Sequence, residues 1–179
     1  MSHRSAEELA AGIDEVARSP VGVGTLELIV RRPAVAQREV VETAELDLEL
    51  GLVGDNWSSR NPDGAADPDR QLTLMNARAV ALVAADADRW PLAGDQLYVD
   101  LHLGEAELPP GTRLAIGDTA VIEVTAAPHT GCAKFSARFG VDALRAVNSP
   151  AGRALNMRGI NARVVTPGTI RRGDKVQVP

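Results

Sequence analysis

Glycine and proline cut this chain into short apolar runs. Sixteen glycines and 11 prolines are spread over 179 residues. Glycine supplies backbone conformations that other residues avoid, and proline cannot donate to a sheet ladder. Such punctuation favours many short strands joined by tight turns, the pattern of a sandwich or barrel. Residues 21–30, 38–44, 45–48, 69–75, 98–101, 113–116, 120–125, 157–165 and 175–178 read as strands. Gly117-Asp118, between two apolar runs, is a hairpin signal. Helices are few. Ser5-Ala6-Glu7-Glu8 is a capping box, followed by Leu9, Ile13 and Val16 at helical spacing, and Ser19-Pro20 ends the element. Asn76 caps a second helix to about residue 86, and residues 136–147 form a third. The expected fold is mainly β with a few helices, a β-barrel-like domain over 21–179 behind an N-terminal helical extension over 1–20.

Bulk properties exclude several classes of function. Aromatic residues make up only 3% of the chain, so there is little material for the stacking platforms that grip single strands. A net charge of −5 opposes nucleic acid and anionic membranes alike. No stretch approaches the roughly 20 apolar residues of a membrane helix, and residues 1–8 carry no leader-like apolar run. One cysteine excludes an internal disulfide framework and a multi-cysteine zinc site, and it fits a reducing cytoplasm. His3, His102 and His129 are too scattered for a histidine zinc site.

That one cysteine is the chemical focus. Cys132 lies in Pro128-His129-Thr130-Gly131-Cys132-Ala133-Lys134-Phe135, between a strand and a helix, with Arg138 close behind. Cationic neighbours and a helix N-terminus favour the nucleophilic, metal-binding thiolate. Elsewhere, Arg31-Arg32 reads as solvated surface. Gly51-Leu52-Val53-Gly54-Asp55 reads as a turn, and residues 56–68 as a polar, mobile loop and candidate lid. Asp69-Arg70 is either a surface pair or an arginine aimed at an anion. Residues 148–152 read as loop, and 168–174 as a turn.

The ordered set of motifs resembles the MOSC domain, the C-terminal module of molybdenum-cofactor sulfurases, in a free-standing form. The residues that carry the resemblance are Gly51-Leu52-Val53-Gly54-Asp55, Asp69-Arg70-Gln71-Leu72-Thr73-Leu74 and Gly94-Asp95-Gln96-Leu97. They continue with residues 111–118, the turn from His129 to Phe135, Arg158-Gly159-Ile160 and Gly173-Asp174. The chain departs from the family pattern at Asn56-Trp57, at Asp95-Gln96 and at Gly131. The resemblance implies a β-barrel-like fold and binding of molybdenum cofactor (molybdopterin), or of sulfur on its way to it. It implies Cys132 as metal ligand or persulfide carrier. The cofactor's phosphate calls for cations or amides, and the candidates are Arg70, Thr130, Gly131, Lys134 and Arg158.

The activity the resemblance implies is reduction of a small N-hydroxylated molecule or delivery of sulfur. Neither an aminotransferase-like nor a ferredoxin module is present in the chain. A cysteine desulfurase or a separate electron-transfer protein is therefore the expected partner, beside a small-molecule substrate. Two other readings stand next to it. Cys132 and His129 could form a hydrolase or transferase pair, with Asp142 or Asp118 orienting the histidine. Alternatively the domain binds a small molecule without catalysis, and its cysteine is incidental.

Overall fold

The structure is a computed structural model and describes residues 3–60 and 64–179. In chain order the elements begin with α1 (Ala6–Ala17), β1 (Val23–Arg31), β2 (Glu39–Val41), β3 (Thr43–Asp47), β4 (Gly51–Leu52) and β5 (Leu72–Asn76). Next come α2 (Ala77–Ala84), β6 (Leu97–Asp100), β7 (Arg113–Ile116), β8 (Ala120–Val124), α3 (Ala133–Phe139) and α4 (Val141–Asn148). The chain closes with α5 (Pro150–Ala154), β9 (Ile160–Thr166), β10 (Gly168–Arg171) and β11 (Lys175–Gln177). Two 3₁₀ helices, Pro68–Arg70 and Ala87–Ala93, precede β5 and β6.

Seven strands close into a barrel in the order β1-β6-β5-β9-β8-β7-β11, with β11 returning to β1. Closure removes the sheet edges that would otherwise template aggregation. β2 hangs from β1, and β10, β3 and β4 form a small second sheet. The expected mainly β barrel is therefore what the chain forms. All barrel pairings are antiparallel except β5 with β6. A parallel pair needs a crossover, here α2 and the 3₁₀ helix Ala87–Ala93. That crossover delivers residues 91–96 to the start of both strands, which fixes the site described below.

Strand alternation sorts side chains into two cores. Leu97 and Val99 of β6 point into the barrel with Leu26, Leu74, Ile122 and Val176. Tyr98, between them, faces outward into a second core with Met75, Val80, Phe135 and Phe139. Helix α1 belongs to that second core through Leu9 and Val16, and Ser5 and Glu8 complete the capping box. Among the described residues no helix is long and apolar enough to cross a membrane.

Several local expectations need correction. The helix expected over 136–147 is two, because Gly140 at φ +92° breaks it between α3 and α4. Residues 148–152 are not loop. Pro150 opens α5, and Ser149 caps it by accepting from the Gly152 N–H. Residues 168–171 are strand β10 rather than turn, and β9 starts only at Ile160. The strand expected from Asp69 begins at Leu72, after the 3₁₀ turn. The candidate lid at 56–68 includes residues 61–63, which lie outside the described ones. Its first residues are pinned, with Trp57 5% exposed and the Asn56 N–H donating to the Arg32 carbonyl.

Gly159 sits at φ +116°, and a Cβ there would collide with the Leu74 carbonyl oxygen and lie 3.0 Å from His129 Cδ2. Gly159→Ala should therefore destabilise the fold by about 2 kcal/mol or more. Urea unfolding measures this, and an unchanged midpoint would contradict the packing described.

Candidate functional site

Two carboxylates organise the top of the barrel. Asp55 and Asp95 both have fully buried side chains. A buried carboxylate must be paired and hydrogen-bonded or it becomes very costly. Arg32 clamps Asp55 through both oxygens, at 2.8 Å from Nε and 2.7 Å from Nη2, and the Arg32 and Trp57 N–H groups add two more donors. Arg32 is thus a partly buried partner, its side chain 12% exposed, and not the solvated surface expected from its sequence context.

Gln96 links this pair to the barrel. Its side-chain oxygen accepts from the N–H and hydroxyl of Thr73, while its amide donates to Asp55 and to the Gln71 carbonyl. Gln71 in turn donates to the Leu48 carbonyl and accepts from the Val164 N–H. The departures from the family pattern at Trp57 and Gln96 therefore fall on buried positions, and the Gln96 side chain makes four hydrogen bonds there.

Asp95 holds the second cluster. Arg158 Nη1 donates to one oxygen at 2.7 Å, and His129 Nε2 lies 2.7 Å from the other. An ionised carboxylate only accepts, so the Nε2 hydrogen of His129 goes to Asp95. Burial opposes the charge on Asp95, but Arg158 and His129 win and hold its pKa down at about 2. Burial also lowers the pKa of His129, more than Asp95 raises it, so the ring is neutral near pH 7. Arg158 stacks on Phe135, its guanidinium carbon 5.1 Å from the ring centre.

Four consecutive carbonyls at the end of the 3₁₀ helix Ala87–Ala93 each receive an arginine. Arg38 donates to Pro91, Arg138 to Leu92, Arg158 to Ala93 and Arg32 to Gly94, at 2.7 to 3.1 Å. A helix end leaves its last carbonyls without internal partners, which is why donors gather there. The four guanidiniums form one wall of a cleft of about 710 Å³. Arg60, Arg70 and Lys134 complete its cationic lining, and no described carboxylate lines it.

Cys132 is exposed and opens into this cleft, where Arg70, Lys134 and Arg158 also lie. It is the N-cap residue of α3. Partial burial pushes its thiol up, but the Phe135 and Lys134 amides together with the Arg158 and Lys134 charges outweigh that, so its pKa is lowered. Thr130 lines an adjoining cavity of about 310 Å³, and the Gly131 N–H is already committed to Asn148. Arg70 keeps mixed company, 3.3 Å from Asp67 and donating to the Pro128 carbonyl. Asp69 faces Arg163 at 3.5 Å instead of Arg70. Asp142 pairs with Arg145, and Asp118 is exposed on a turn, so the residue that orients His129 is Asp95 and neither of these. No hydrogen bond joins Cys132 to His129.

The family model described as the MOSC domain matches residues 38–177. The chain belongs to the MOSC-domain family. Solved structures share the fold. The YUAD protein from Bacillus subtilis is 15% identical with a TM-score of 0.64, over 86% of this chain and 94% of that one. YiiM from Escherichia coli is 20% identical with a TM-score of 0.56, over 87% of this chain and 69% of that one. YiiM from Geobacillus stearothermophilus is 14% identical with a TM-score of 0.54, over 89% and 73%. No curated protein matches the sequence.

The buried cluster predicts how this MOSC domain responds to acid. The pKa of Asp95 is lower folded than unfolded, so its contribution is full above about pH 5 and is lost as pH falls through 4 toward 2. It amounts to about 2 kcal/mol. His129 acts in the same direction at higher pH, because the unfolded chain takes up its proton below about pH 6.5 while the folded one resists. Thermal melts across pH should show stability declining in these two windows. Asp95→Asn should cost about 3 kcal/mol at pH 7 by leaving Arg158 unpaired, and it should flatten the lower window.

Proposed function

We propose that this MOSC domain binds molybdenum cofactor in the cationic cleft, with Cys132 as the protein's ligand to the metal. The observation that carries the proposal is an exposed, thiolate-favouring cysteine opening into a cleft lined by cations. The donor set fits the group. Thiolate is a soft ligand suited to such a centre. Among the described residues no cluster of three His, Cys, Asp or Glu side chains could hold a metal alone, so the metal's other ligands would have to come with the cofactor. Lys134 and Arg70 are the candidates for the cofactor's phosphate, as charge-assisted donors in the same cleft as the thiol.

When bound, the cofactor supplies oxidation-state cycling and oxygen-atom transfer. The chain's own residues supply the setting. Arg158 is held by Asp95 and Ala93, so it contributes a fixed positive charge that favours the Cys132 thiolate. His129, neutral and donating to Asp95, offers its other ring nitrogen as an acceptor for a proton near the cleft. The proposed reaction is reduction of a small N-hydroxylated molecule, with electrons from a separate protein. The sulfur-carrier reading uses the same thiolate, loaded as a persulfide by a cysteine desulfurase. Both fit the cytoplasm, where a lone exposed thiol stays reduced.

Protein made in a cofactor-competent host should carry molybdenum and pterin, and Cys132→Ser should lower the metal content at least about tenfold. A persulfide on Cys132 with neither metal nor pterin would favour the carrier reading. Absence of all three would sink both. Independently, iodoacetamide should label Cys132 faster than free cysteine near pH 7, and Lys134→Gln should slow it.

A further inference from the structure

Arg32 and Arg158 have their charges balanced by Asp55 and Asp95. Their neighbours Arg38 and Arg138 do not. Among the described residues both are held only by carbonyls, those of Pro91 and Gln37 for Arg38 and that of Leu92 for Arg138. Neither pairs with a carboxylate among the described residues. They converge over Gly94, where a Cβ would lie 3.5 Å from Arg138 Nη1 and 3.8 Å from Arg38 Nη2. Two half-buried guanidiniums this close repel each other, and burial with the Arg138 and Arg32 charges lowers the pKa of Arg38. A carbonyl anchor orients a guanidinium without neutralising it, so each keeps free N–H groups in a cleft with no described carboxylate. The absence of a side chain at Gly94 leaves room for a group to sit between them.

We propose that Arg38 and Arg138 form an oxyanion-binding subsite over Gly94, separate from the cations beside Cys132. Helix α3 sets the spacing. Cys132 is its N-cap and Arg138 lies six residues on, so the subsite is roughly 9 Å from the cysteine along the helix. Lys134 and Arg138, four residues apart, lie on the same helix face and form a cationic track between the two ends. A phosphoryl or carboxylate group fits the paired forks. It belongs either to the far end of the ligand held at Cys132 or to a second anionic molecule. The proposal deepens the reading of the cleft as a ligand site, but it does not depend on that ligand containing metal.

Calorimetric titration of inorganic phosphate into the full chain tests this. Arg38→Gln with Arg138→Gln should weaken phosphate binding at least about tenfold, while Arg38→Lys with Arg138→Lys should restore part of it. Cys132→Ser should leave this binding intact, which separates its failure from failure of the metal-binding reading. Melting curves confirm that each variant is folded. Fructose 1,6-bisphosphate distinguishes the two sources of the anion. One-to-one binding at least about tenfold tighter than phosphate, lost in both Lys134→Gln and the double glutamine variant, assigns both ends to one ligand. Two phosphates per chain, with no gain from the bisphosphate, assigns the subsite to a separate molecule. Phosphate binding unchanged in the folded double glutamine variant would overturn the proposal.

Discussion

Everything at the top of this barrel depends on two carboxylates that have no access to water. Asp55 and Asp95 each need a cation, and Arg32 and Arg158 provide it. Removing one partner of such a pair would strand a charge, typically at a cost of about 3–5 kcal/mol. The pairs therefore hold their loops to the barrel firmly. Asp55 fixes the loop after β4 through Trp57, and Asp95 fixes the turn before Cys132 through His129. The carbonyls of residues 91–94 then align Arg38 and Arg138 beside the balanced pairs. The result is a rigid cationic wall in a protein whose net charge is −5. An acidic surface around a basic cleft directs small anions to that cleft and does not favour polyanions elsewhere.

The strands and hairpins were legible in the sequence because turn chemistry is local. Gly117-Asp118 and the capping box at Ser5 announce themselves within four residues. Barrel closure was legible only as a tendency, since pairing β11 with β1 joins residues at opposite ends of the chain. The errors share a physical cause. Gly140 looks like a tolerable interruption in an amphipathic run, and only its positive φ shows that it ends one helix and starts another. Ser149-Pro150 carries a cap-and-first-turn signature, but the helix it opens is only five residues long and lacks a periodic apolar face.

The site was legible in its cysteine and less so in its supports. Of the residues named from the turn and the motifs, Cys132, Arg70, Lys134 and Arg158 line one cleft, while Thr130 lines the adjoining cavity and the Gly131 N–H is taken by Asn148. Arg32, Arg38, Asp55 and Asp95 were missed as site residues, although two of them sit in Gly-Asp motifs. A Gly-Asp pair usually marks an exposed turn. Here the carboxylate turns inward, and nothing in a linear sequence separates those cases except the arginine that meets it. That arginine lies 23 residues away for Asp55 and 63 for Asp95.

The arrangement also explains why His129 is a poor partner for a cysteine nucleophile. A base that activates a thiol must offer its free nitrogen to the sulfur while a carboxylate holds the other. Asp95 does hold His129, at Nε2, but the remaining nitrogen, Nδ1, makes no hydrogen bond to Cys132. What lowers the Cys132 pKa instead is the nearby Phe135 and Lys134 amides and the Arg158 and Lys134 charges, which need no proton transfer. That support persists whether or not His129 changes its protonation state. A thiolate stabilised in this way suits a ligand or carrier, which must keep its charge through a cycle, better than a nucleophile that must be switched on at one step.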